Sequence, residues 1–126
     1  MGREGAAVSA DTRRDTAGTG PAAEPVALAE IDDTIHARVR LGAMAILAVE
    51  GPRDFVALRK ALGVSDGNLA THLRVLEEAG YVEARKAFAG RKPRTTYSAT
   101  GRGRRALAAY AAAMERLLRG VTPDGC

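Results

Sequence analysis

Large hydrophobic runs are missing from this chain, and so are most of the residues that build covalent or catalytic sites. No window of 18 or more apolar residues occurs in the 126 positions, so nothing reads as a membrane-spanning helix. The first residues carry scattered charge and no apolar stretch, which argues against a secretory signal. Arg13 and Arg14 lack the hydrophobic segment that a twin-arginine export signal needs, and a cytoplasmic location is expected. There is a single cysteine, Cys126 at the last position, which excludes a disulfide framework and a paired-cysteine metal site. The two histidines, His36 and His72, stand far apart with no cysteine pair or carboxylate at ligand spacing, so no metal or other cofactor is expected. No nucleophile with a neighbouring base, no paired catalytic carboxylates and no phosphate-binding glycine loop is visible. The sequence therefore does not read as an enzyme.

What is present is an uneven distribution of charge. The net charge of +4 conceals an acidic beginning: residues 1–34 hold three arginines against seven acids, a balance of −4, leaving +8 on the remainder. Between Arg85 and Arg105 lie Arg85, Lys86, Arg91, Lys92, Arg94, Arg102, Arg104 and Arg105 with no acid among them. A basic run of this kind is a solvated surface in many proteins, but one placed directly after a helix-turn-helix points to a polyanion.

The helix-turn-helix lies in residues 58–81. Leu58 and Leu62 end one helix, Gly63 supplies the left-handed residue that stops it, and Ser65 caps the next, with Asp66 favourably placed on its dipole. The second helix, residues 66–79, puts Leu69, Leu73 and Leu76 on one inward stripe. Its other side carries Gly67, Asn68, Thr71, Arg74 and Glu78, small and polar enough to approach base edges in a major groove.

Around this pair, residues 1–26 are poor in large apolar side chains and are expected to be disordered. Val26, Leu28, Ile31 and Ile35 form a sparse apolar rhythm, and residues 36–49 read as a core helix that ends at Gly51-Pro52. Gly42 within that helix suggests a close helix crossing. Asp54 is expected to cap a helix over residues 55–62, burying Phe55 or Val56. After Gly80 the period changes to two: residues 81–88 and 94–99 read as antiparallel strands joined by a basic turn at 89–93. Thr100 caps a final helix running to about Leu118, and residues 120–126 form a flexible tail. The fold expected is mainly α with a small β-hairpin, an α+β winged helix-turn-helix over residues 27–119.

Site residues follow from this layout. Asn68 and Thr71 suit adenine and the thymine methyl, Arg74 suits a phosphate before a guanine, Ser65 suits phosphate, and His72 lies beside the apolar stripe as either a packing residue or a DNA contact. Lys86, Arg91, Lys92 and Arg94 are the candidate wing cations. Leu28, Ile31, Leu107, Tyr110, Met114, Leu117 and Leu118 are the expected seam of a homodimer, since a long terminal helix after the wing has little of one subunit left to cover. A cleft between the 36–49 helix and the last helix is a candidate site for a small-molecule effector of unidentified chemistry. The rival role for the same fold is a protein-docking module without DNA binding.

Ile-His-Ala-Arg-Val-Arg-Leu at 35–41, Leu-Gly-Val-Ser-Asp-Gly-Asn-Leu-Ala-Thr-His-Leu at 62–73, Leu-Glu-Glu-Ala-Gly-Tyr-Val at 76–82, Gly-Arg-Lys-Pro-Arg-Thr-Thr-Tyr at 90–97 and Thr-Gly-Arg-Gly-Arg at 100–104 give the chain its family likeness. The region resembles the small winged helix DNA-binding regulators close to the MarR and ArsR groups. The resemblance implies a homodimeric bacterial transcriptional regulator, usually a repressor, acting on a pseudo-palindromic operator in double-stranded DNA. Metal-sensing ArsR relatives carry paired cysteines on or near the recognition helix. This chain has none there, so thiolate metal sensing is not implied.

Overall fold

In the computed structural model, residues 28–123 are described; the expected disordered segment 1–26 and the end of the tail, with Cys126, lie outside them. A short 3-10 turn at Leu28–Glu30 leads to α1, Arg38–Ala45, which widens into a π-helical turn at Ile46–Glu50. Then come β1 (Arg53–Asp54), α2 (Phe55–Leu62), α3 (Asp66–Glu78), β2 (Val82–Ala89), β3 (Lys92–Ala99) and α4 (Gly101–Leu118). The fold is a winged helix: four helices with a three-stranded antiparallel sheet of order β1-β3-β2.

Local chemistry sets most of the boundaries. Asp54 accepts from the Ala57 N–H at 2.8 Å, Ser65 from Asn68 at 3.1 Å and Thr100 from Gly103 at 2.9 Å, so each of the last three helices begins on a side-chain cap. Gly63 closes α2 at φ 67°, a left-handed conformation that strains a residue bearing Cβ. His36 and Ala37 fall outside α1, whose N-cap Ala37 is extended and makes no side-chain cap, so the helix starts two residues later than its apolar pattern suggests.

Leu69, Leu73 and Leu76 of α3 are buried as their spacing requires, against Ala43, Met44 and Leu47 of the first helix and Leu58 of α2. Two glycines are fixed by contact with neighbouring elements. A Cβ at Gly42 would stand 2.7 Å from Leu62 Cδ2, which makes it the close crossing of α1 and α2. One at Gly103 would come within 2.1 Å of the Tyr81 carbonyl oxygen, so α4 lies directly on the chain entering β2.

Three expectations need correcting here. The hairpin turn is only Gly90-Arg91, because Ala89 pairs with Lys92 and Phe88 with Pro93, so the strands run further out than residues 88 and 94. A third strand, β1, pairs Arg53 with Tyr97 and Asp54 with Thr96; two residues carry too little pattern to announce a strand. Before Thr96, β3 has β2 as its one neighbour, which is why it tolerates Pro93. Finally, Ile31 (9% exposed) and Tyr110 (5%), expected on a subunit seam, belong to the core of the single chain. Phe55, not Val56, turns inward and meets Tyr97 with ring centroids 6.4 Å apart.

Candidate nucleic-acid interface

The outward face of α3 is held rigid by what lies beneath and beside it. Gly67, Asn68, Thr71 and Arg74 are all exposed. The Thr71 hydroxyl donates to the Gly67 carbonyl at 3.0 Å, one turn back; with its polar group engaged, the side chain offers its methyl. Ser65 spends its hydroxyl on the cap.

Asp66, the acid nearest this surface, is paired with Arg59 of α2 at 2.9 Å, which offsets a charge that would otherwise repel phosphate. Arg59 escaped the sequence reading, because its partner lies across the turn and no helical spacing links them.

His72 sits half-buried on the shoulder of α3. Its Nδ1 lies 2.9 Å from Arg40 Nη1, and Arg40 Nε donates to the Thr34 carbonyl at 2.6 Å. Since a guanidinium only donates, His72 Nδ1 is the acceptor and Nε2 carries the proton. Arg40 thus ties the segment before α1 to the recognition helix. The other histidine, His36, meets the Tyr110 hydroxyl at 2.7 Å and joins that segment to α4. A neighbouring bond runs from the Tyr81 hydroxyl to Asp32 at 2.5 Å; burial, reinforced by this bond and the Asp32 charge, pushes the phenol up to about 12.

The wing cations divide into two groups. Arg94 pairs with Asp54 at 3.6 Å and Arg85 with Glu83 at 3.8 Å, so both are partly engaged within the domain. Lys86, Arg91 and Lys92 are exposed, and among the described residues no ion pair engages them. Arg91 occupies the turn itself and Lys92 starts β3, so free positive charge gathers at the tip. Below it, a groove of about 700 Å³ lined by Val56, Lys60, Lys92 and Pro93 separates the wing from the start of α2.

The basic start of α4 is explained differently. Arg104 donates to the Ala99 carbonyl at 2.9 Å, and Arg102 runs past Gly80, close enough to Tyr81 to oppose the rise in its pKa.

Of the expected seam, Leu107 and Met114 are partly buried against the core. Leu28 (74% exposed), Leu117 (44%) and Leu118 (52%) face outward. Arg116 and Glu30 form an ion pair that fastens the 28–30 turn to α4. Near the cleft expected between the first and last helices, His36 meets Tyr110. An opening of about 470 Å³ lies between residues 28–33 and the Ala106, Ala109 and Tyr110 side of α4.

A polar helix face beside a cationic hairpin is the arrangement shared by winged helix DNA-binding domains, and the sequence profile of that family matches residues 39–118. The chain belongs to the winged helix DNA-binding family. It is 36% identical over 72 residues to the uncharacterized protein MJ0432 of Methanocaldococcus jannaschii, an alignment covering 57% of this chain and 78% of that one. A transcriptional regulator homologue from Pyrococcus horikoshii OT3 superposes with a TM-score of 0.69 at 33% identity, over 74% of this chain and 94% of its own. Against ytfH from Salmonella typhimurium the TM-score is 0.57 at 26% identity, over 68% and 77% of the two chains. Among the described residues no helix is long and apolar enough to cross a membrane.

Proposed function

We propose that this protein is a sequence-specific transcriptional regulator, a repressor, that binds a pseudo-palindromic operator in duplex DNA as a homodimer. One observation carries the reading: a helix face of small and polar residues, Gly67, Asn68, Thr71 and Arg74, stands beside a hairpin whose tip cations no ion pair engages among the described residues. Asn68 and Thr71 read bases, Arg74 and the N–H groups near Ser65 meet phosphate, and Lys86, Arg91 and Lys92 follow the backbone beside the major groove. The His72 Nε2 proton is a further phosphate donor.

Dimerisation through α4 is supported by its exposed Leu117 and Leu118 beside a surface of exposed alanines, with Leu28 across from it. Two subunits so joined would place recognition helices in successive major grooves, with half-sites about 10 base pairs apart. The opening beside Tyr110 adjoins that seam, and we assign it as the place where a small-molecule effector would act on subunit geometry.

The test compares Arg91→Ala/Lys92→Ala with Thr71→Ala on duplexes taken upstream of the protein's own gene and on unrelated duplexes. The wing variant weakens binding to all sequences and flattens the salt dependence, whereas Thr71→Ala alters preference among sequences. Equal effects on every duplex would contradict this division of roles.

A further inference from the structure

Phe88 is left over when the core and the charges of the wing are accounted for. Register places it on the same sheet face as Val82 and Ala84, opposite Pro93, so it occupies a position that points inward lower in the hairpin. At this height a groove separates the wing from Val56 and Lys60 of α2, and Phe88 is left 74% exposed. A benzyl group in water at the end of a two-stranded ribbon contributes nothing to folding.

Its surroundings identify what would cover it. Lys86 lies two residues back on the same face, Arg91 forms the turn and Lys92 follows. The hairpin from Lys86 to Arg94 contains no acid, and the nearest carboxylates, Glu83 and Asp54, are occupied by Arg85 and Arg94. An apolar ring with Lys86 on its own face and Arg91 at the adjoining turn, cations that no ion pair engages among the described residues, fits a surface that is anionic outside and aromatic within. Duplex DNA has that character, with phosphates on both rims of a narrow groove and stacked bases at its floor.

We propose that Phe88 is a minor-groove wedge. Its ring enters a base step and stacks there, Pro93 stiffens the opposite strand, and Lys86, Arg91 and Lys92 hold the flanking phosphates. The proposal rests on the DNA-binding reading above, and adds to it a contact that depends on how readily a step unstacks, which favours pyrimidine–purine steps such as TpA.

The chain contains no tryptophan, so Phe88→Trp creates a single fluorescent reporter at this position. Binding of the full chain to an A·T-rich duplex is followed by anisotropy of a fluorescein label, and tryptophan emission is read with unlabelled DNA. The wedge predicts that emission is quenched on binding and becomes shielded from acrylamide. With wild type, 2-aminopurine placed at TpA steps should brighten as it unstacks, and Phe88→Ala should abolish that rise. Phe88→Ala should also weaken binding by roughly 5- to 150-fold, the range for losing one base–aromatic stack, while leaving the salt slope unchanged.

If anisotropy shows binding but tryptophan stays bright and accessible, the wedge is overturned and the regulator reading survives. If Phe88→Ala changes the sedimentation coefficient and leaves affinity intact, Phe88 is a protein contact and the wedge is likewise overturned. Absence of any binding by wild type in dilute buffer overturns both readings.

Discussion

Gly103→Ala tests the packing that fixes the wing to the helical core. The added methyl would lie 2.1 Å from the Tyr81 carbonyl oxygen, 2.9 Å from its carbon and 3.0 Å from Met44 Cε. Met44 can give way, but the Tyr81 carbonyl is backbone, and it already accepts from the Thr100 N–H at 3.0 Å. Relief needs a shift of α4 on the order of 1 Å to restore an ordinary contact distance, which would loosen the buried Tyr110 and Ala113 on the same helix. Overpacking costs about 1–3 kcal/mol where side chains can adjust, and the upper end applies to a backbone clash. Alanine returns about 1 kcal/mol in helix propensity, leaving a net loss of about 2 kcal/mol. In a domain of this size that lowers Tm by roughly 8–16 °C, measured by circular dichroism melting. Gly101→Ala is the internal control: its Cβ meets only the flexible Arg105 guanidinium at 3.4 Å, so its Tm should hold or rise slightly. A Gly103→Ala protein melting at or above wild type would refute the reasoning.

Thr100→Val removes both the cap on Gly103 and the hydroxyl's 2.7 Å bond to the Gly80 carbonyl; melting should show a loss of about 1–3 kcal/mol. For Tyr81 the sign follows from its folded pKa of about 12 against an ordinary value of 10.0. The folded state holds the proton more tightly, so this contribution is complete below about pH 10 and is lost as pH rises towards 12. Between pH 9 and 11 wild type should therefore lose more Tm than Tyr81→Phe, and parallel losses would count against a phenol raised by burial and the Asp32 bond. Arg40→Met breaks the link from Thr34 to His72, and hydrogen–deuterium exchange should accelerate in residues 31–37 while the α3 core stays protected.

The helices were legible in the sequence because their punctuation is local. Asp54, Ser65 and Thr100 each reach an N–H three residues on, and Gly63 needs only its own φ, so neither depends on distant chain. The inward stripe of α3 was equally plain. Hidden were features that join remote segments: the β1–β3 pairing, the Arg59–Asp66 pair across the turn, and the close approach of Gly103 to Tyr81. Tyr110 shows the same limit. Periodicity reveals that a helix has an apolar stripe without saying which surface covers it, and Tyr110 is covered within one chain, with its hydroxyl on His36. On the wing, composition showed the cations but not which of them Asp54 and Glu83 engage.

The most direct measurement is the affinity of the intact protein for duplex DNA as a function of salt. With about 6–10 phosphate contacts per bound complex, affinity should fall roughly 10³- to 10⁵-fold between 50 and 200 mM salt, along a straight line in log–log form. An affinity that does not change over that range, or no binding to any duplex at the lowest salt, would contradict the assignment of the α3 face and wing as a DNA-binding surface.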